Sequence, residues 1–310
     1  LFMSNQKAGG YSVYHWIDGG DGTMALTLNL NHKDPVLREI FQDRRFRIAL
    51  SYAMNRDAIN HANFFGLGDP RQVAPPPQSA WYNEAYLKAY TEYDTVKANQ
   101  LLDEMGLTER NEDGIRLRPD GEPLVINLES TSTQSAMARL FEMTASHWTA
   151  VGGKTKVKMT ARQLYRERRN ARLCDVHVWG GAGEIIPVLD PRWFMPYSVS
   201  SFQGLDYAQW YRTGGRKGTI PPEPMLKCLD LFAQISRTMD EKKQIELFHQ
   251  IIDINREELY VIGAVGGIPI TFIVADNFKN VPHVAVGCWP LRTPGATAPE
   301  VYAIEERGGA

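Results

Sequence analysis

Residues 41–59 read FQDRRFRIALSYAMNRDAI and encode a helix, a break and a second helix. Asp43 is placed to cap the first helix by accepting a backbone N–H bond from its opening turn. Phe46, Ala49, Leu50 and Ala53 follow the i, i+3, i+4, i+7 spacing and form one apolar stripe, with Arg44, Arg45 and Arg47 off it. Asn55 interrupts this pattern and is placed to cap the next helix, whose positive end favours the carboxylate of Asp57.

Outward from this pair, residues 94–107 carry a helix with both ends written out. Asp94 is the N-cap, Ala98, Leu101, Leu102 and Met105 form the stripe, Gly106 is free to take positive φ, and Leu107 folds back as its apolar partner. IRLR (115–118), a turn at Pro119-Asp120-Gly121 and LVINLES (124–130) predict a hairpin with Leu124, Ile126 and Leu128 on one face. Upstream, YSVYHWI (11–17) and TMALTLNL (23–30) read as strands separated by Asp18-Gly19-Gly20-Asp21-Gly22. Those glycines read as a turn rather than a phosphate loop, because no G-x-x-x-x-G-K-[ST] follows and no helix begins there. The stretch DPRQVAPPPQSAWY (69–82) is too rich in proline for regular structure.

Downstream, helix and strand alternate. A helix over 133–150 carries Met137, Leu140, Phe141, Thr144 and Trp148 on one face and ends at Gly152 and Gly153. A strand at 154–160, a basic helix at 161–170 and a strand at 174–179 follow, so the pattern predicts an α/β domain built from βαβ units. Arg162, Arg166, Arg168, Arg169 and Arg172 read as a solvated helix face, since only Tyr165 interleaves an aromatic. Helices near 223–238 and 240–258, the latter capped by Asp240, precede strands at 260–266 and 269–275.

Composition bounds the function. A chain of 310 residues with 43% apolar content can bury a sizeable core, and its net charge of −2 offers no global attraction to nucleic acid or anionic membrane. No apolar run approaches the roughly 20 residues that span a bilayer. Cys174, Cys228 and Cys288 are widely spaced and form no Cys-x-x-Cys pair, so they read as reduced core residues. There is no G-x-S-x-G, no H-E-x-x-H and no Cys beside a His, and no metal or cofactor is implied. His177, the histidine nearest the loop discussed next, reads as structural.

The loop after the strand ending at Trp179, GGAGEIIPVLDPRWFMPYS (180–198), holds the candidate site, because open α/β sheets bind ligands at the carboxyl ends of their strands. Gly180, Gly181 and Gly183 permit close backbone approach, Glu184 and Asp190 supply carboxylates, and Trp179, Trp193, Phe194 and Tyr197 supply apolar or stacking area. Trp81 and Tyr82 of the proline-rich loop are further candidates. Glu184, Trp193 and Tyr197 are expected to line an open concave face. As glycosidase acids, Glu184 and Asp190 would need a separation of about 5 to 10 Å that sequence spacing does not show.

Three blocks appear in one order: D-x-R-x-R-x-A-L-x-x-A-M-x-R-x-x-I from Asp43, Y-D-x-x-x-A-x-x-L-L-x-x-x-G from Tyr93, and G-I-R-x-x-x-x-G-x-P-L from Gly114. Together they resemble the dipeptide and oligopeptide solute-binding proteins of bacterial ABC importers, and WYRTGGRKGTIPPEP (210–224) resembles a branch with a T-G-G-x-x-G-x-x-P-P insertion, linked to peptides or oligosaccharides. The resemblance implies a periplasmic-binding-protein-like fold of type II, cluster C: an α/β second lobe over 34–260, with 1–33 ending lobe one and 261–310 returning to it. It implies hinges near 28–34 and 259–267, a longer exported protein starting upstream of Leu1, and no catalytic centre, with a hydrolase as the alternative of another class. It also implies a receptor, monomeric and periplasmic or extracellular, that closes around an oligopeptide or oligosaccharide and docks on ABC permease subunits, with no nucleic-acid partner and no cofactor. The acidic anchor for a ligand's amino terminus falls on Glu184, and Asp190-Pro191 matches the family's Asp-Pro.

Overall fold

Local capping chemistry sets the helices. Asp43 accepts from the Arg45 N–H at 2.8 Å, Asn55 from Ala58 at 2.9 Å, Asp94 from Lys97 at 2.8 Å and Asp240 from Lys242 at 3.0 Å. Gly106 takes φ +81°, and the Leu107 N–H closes back on the Leu102 carbonyl at 3.1 Å while its side chain is buried. The computed structural model describes residues 1–20, 24–181 and 183–306. Asp21, Gly22 and Thr23, part of the expected turn and strand, lie outside the described residues.

The principal elements begin with β1 (Tyr11–Asp18), β2 (Ala25–Leu28), α1 (Pro35–Gln42), α2 (Arg44–Tyr52), α3 (Arg56–Phe64) and α4 (Thr95–Glu104). Next come β3 (Val125–Thr131), α5 (Ala138–Ala150), β4 (Lys154–Thr160), α6 (Arg162–Asn170) and β5 (Val176–Trp179). Then follow α7 (Leu205–Arg212), α8 (Glu223–Ile235), α9 (Glu241–Glu258), β6 (Ile262–Gly263), β7 (Val265–Gly266), β8 (Ile270–Ala275) and β9 (Val286–Gly287).

A five-stranded sheet runs β4-β3-β5-β2-β6. β3 is parallel to β4 and β5, so β3-α5-β4 and β4-α6-β5 are crossover units, whereas β2 lies antiparallel to β5, from Ala25↔Trp179 to Leu28↔Val176. A separate three-stranded sheet, β9-β1-β8, pairs β1 with β8 antiparallel from Tyr11↔Ala275 to Trp16↔Ile270. Both faces of the larger sheet are covered. Leu26, Leu28, Ile126 and Val178 pack with Phe46, Leu50, Phe141 and Trp148, while Ala25, on the alternate face, joins a second core built on Phe194, Phe232, Phe248 and Ile252.

The sheet register moves the expected domain limits. β2, expected at the end of lobe one, has all four residues buried inside the larger sheet, and β6 flanks it there. By sheet membership, 25–28 and 262–263 belong with the larger sheet, so the first change of sheet falls between β1 and β2, ahead of the expected 28–34, whereas the second falls between β6 and β8 and overlaps the expected 259–267. Arg47, off the apolar stripe, is nonetheless no solvated charge. It is buried and donates to the Phe41, Gln42 and Glu258 carbonyls at 2.8, 2.9 and 2.8 Å and to the Glu258 carboxylate at 3.0 Å, joining α1, α2 and α9.

Candidate functional site

The loop after β5 leaves the larger sheet at its carboxyl end. The Ile185 N–H donates to the Gly19 carbonyl at 2.6 Å, and the Ser79 hydroxyl donates to the Ile185 carbonyl at 2.7 Å, so the loop is tied to the end of β1 on one side and to the proline-rich loop on the other. Gly183 is required there: φ is +90°, and any Cβ would lie 2.6 Å from the Ala74 carbonyl oxygen. At Gly181, φ +75°, a Cβ would meet open space.

Glu184 follows this turn and is 3% exposed, and among the described residues its Oε2 has no partner within hydrogen-bond distance. Burial pushes its carboxyl up to about 8, the negative charges of Asp190 and Asp18 add to that, and Arg192 and the Trp193 indole offset part of it. At neutral pH the group is therefore mostly neutral. Burial also raises the Asp190 carboxyl, against the opposing pull of Arg192, whose guanidinium lies 3.0 Å away. The same guanidinium sits 4.9 Å from the centre of the Trp193 ring.

The expected open face is only partly realised. Tyr197 is 38% exposed, but Glu184 and Trp193 are each 3% exposed, because 3-10 turns at Pro187–Leu189 and Pro191–Trp193 roll the loop's apolar side inward. Trp193, Phe194 and Trp81 belong to the second core, with Phe194 edge-on to Phe248 at 5.2 Å. Trp179, Gly180, Gly181 and Asp190 stay at least partly accessible.

Two concavities adjoin the loop. One, of about 420 Å³, opens between the small sheet and the proline-rich loop and is lined by Trp16, Asp18, Arg71, Gln78 and Ile268. The other, of about 290 Å³, lies at the carboxyl end of β5, where Trp179 and Phe202 face Arg162, Arg166, Arg169 and Arg192. Behind it, the Tyr165 hydroxyl and His177 Nδ1 lie 2.9 Å apart, and His177 stacks on Phe202 at 4.8 Å; burial lowers the imidazole to about 3, so it is a neutral wall element. Arg162, Arg166 and Arg169, expected on a solvated helix face, line this cavity instead, and their i, i+4, i+7 spacing already places them on one side of the helix. Nothing local marks Phe202. Among the described residues, no group of three His, Cys, Asp or Glu side chains gathers to hold a metal.

The family described as bacterial extracellular solute-binding proteins, family 5 Middle, matches residues 3–204. The dipeptide-binding protein of Escherichia coli K12 is 29% identical over 219 residues, 69% of this chain and 36% of its own length. A solved structure of the oligopeptide-binding protein OppA matches 98% of this chain at 35% identity with a TM-score of 0.81, and the match covers 50% of that protein. The binding protein MelB from Agrobacterium fabrum, solved with stachyose, shares the fold at 17% identity and a TM-score of 0.74, over 98% of this chain and 47% of its own. The chain thus spans half or less of each of these relatives.

Proposed function

Because this chain belongs to the bacterial extracellular solute-binding proteins, family 5, we propose that it forms one wall of a receptor that closes around an oligopeptide-type solute and delivers it to an ABC permease. The observation that carries the peptide reading is Glu184. It is a buried carboxyl with one oxygen that no described residue hydrogen-bonds, on a glycine-shaped loop at the carboxyl end of a central strand. A peptide's α-ammonium arriving there supplies the missing positive partner, draws the carboxyl into its ionised form and releases its proton. The receptor acts as a monomer outside the cytoplasmic membrane and returns its solute unchanged; its family relatives bind solutes rather than transform them. An oligosaccharide is the second reading, supported by the stachyose-bound relative and by the accessible Trp179.

Calorimetry with trialanine and stachyose on the wild type and on Glu184→Gln separates the two. Under the peptide reading, trialanine affinity rises from about pH 6 to 8 and falls at least about tenfold in the variant. Stachyose binding that ignores the substitution, with no trialanine heat, would replace it with the oligosaccharide reading.

A further inference from the structure

We propose that the arginine-lined cavity at the carboxyl end of β5 binds a doubly charged oxyanion, a phosphate monoester or dicarboxylate group carried by the solute; this rests on the reading of the 180–198 loop as part of the solute site. Three arginines of one α6 face, Arg162, Arg166 and Arg169, form one wall of the cavity, and Arg192 enters from the loop. Among the described residues, no carboxylate lies within ion-pair distance of Arg162, Arg166 or Arg169. Their neighbours, by contrast, are neutralised: Arg168 by Glu129 at 2.7 Å, Arg172 by Asp206, and Arg192 by Asp190 at 3.0 Å. Glu167, the acidic residue of α6, instead accepts from the Gln163 amide at 3.1 Å.

Three positive charges thus share one concavity with no counter-charge of their own. Arg169 is half-buried, lies 6.0 Å from the Phe202 ring, and is held below the ordinary arginine range by burial and by Arg166. A single carboxylate would leave two of the three charges uncompensated. A dianion offers oxygens to several planar guanidinium forks at once, which is the geometry arginine serves better than lysine. Trp179 and Phe202 supply the flat apolar surface for whatever group carries the charge.

The test is calorimetry on the 310-residue chain at low ionic strength with inorganic phosphate, succinate and acetate as probes. Phosphate or succinate should bind about tenfold or more tightly than acetate, and the double variant Arg162→Gln/Arg166→Gln should lose about tenfold of that affinity. Both side chains are exposed, so their removal spares the fold; Arg169→Gln should act in the same direction. Preference between phosphate and succinate identifies the phosphate ester or the dicarboxylate. Acetate binding as tightly as the dianions, or a double variant with wild-type affinity, overturns the proposal. Trialanine binding bears only on the peptide reading, so dianion binding lost in the variants upholds this proposal even if trialanine does not bind.

Discussion

Replacing Glu184 with Gln should stabilise the protein, and the gain should depend on pH. The folded carboxyl titrates near 8 against an ordinary 4.5. A raised carboxyl means that ionisation opposes folding: the cost is absent below 4.5, where both states are protonated. It then grows by about 1.4 kcal/mol per pH unit and levels off above 8. At pH 7 the shift corresponds to about 3 kcal/mol, and above pH 8 to about 5 kcal/mol. These are upper bounds, since local rearrangement that admits water to the charge recovers part of the penalty. Glutamine keeps the shape and removes the charge. Urea unfolding of both proteins from about pH 4 to 9 should show equal stability at the acid end and a growing advantage for the variant above it. A difference flat with pH, or a variant less stable near pH 8, would refute the reasoning. A carboxyl retained at such a cost is what a binding role predicts, because binding groups are commonly held against stability.

Gly183→Ala should cost more than Gly181→Ala, about 2 to 4 kcal/mol against about 1, because only the former drives a Cβ into the Ala74 carbonyl; urea midpoints with unchanged slope would check it. Arg47→Met should destabilise by about 3 to 5 kcal/mol in urea unfolding, since it strands the Glu258 carboxylate and three carbonyls. Asp240→Ala removes an exposed cap that serves two N–H groups of α9, and thermal unfolding should register about 1 kcal/mol.

Short-range chemistry made much of this protein readable in advance. Asp43, Asn55, Asp94 and Asp240 each cap the helix that their side chains require, and the alternation from 125 to 179 produces crossover units, because capping and periodicity act over a few residues. The order of three motif blocks was enough to indicate the family. Pairing was not readable, since a four-residue apolar strand fits either sheet. Only contact with β5 and β6 assigns β2 to the larger sheet and moves the first crossing ahead of it. The site divides the same way. The place of the 180–198 loop after a central strand was legible from the sequence, whereas the fate of its side chains was not. Whether Trp193 faces solvent or joins the second core depends on where α8 and α9 pack, and whether three arginines are a wetted helix face or one wall of a cavity depends on Phe202 and Arg192 arriving opposite them. Residue type and spacing determined which groups this chain carries; burial and charge compensation, which arise only when distant segments meet, decided what those groups can do.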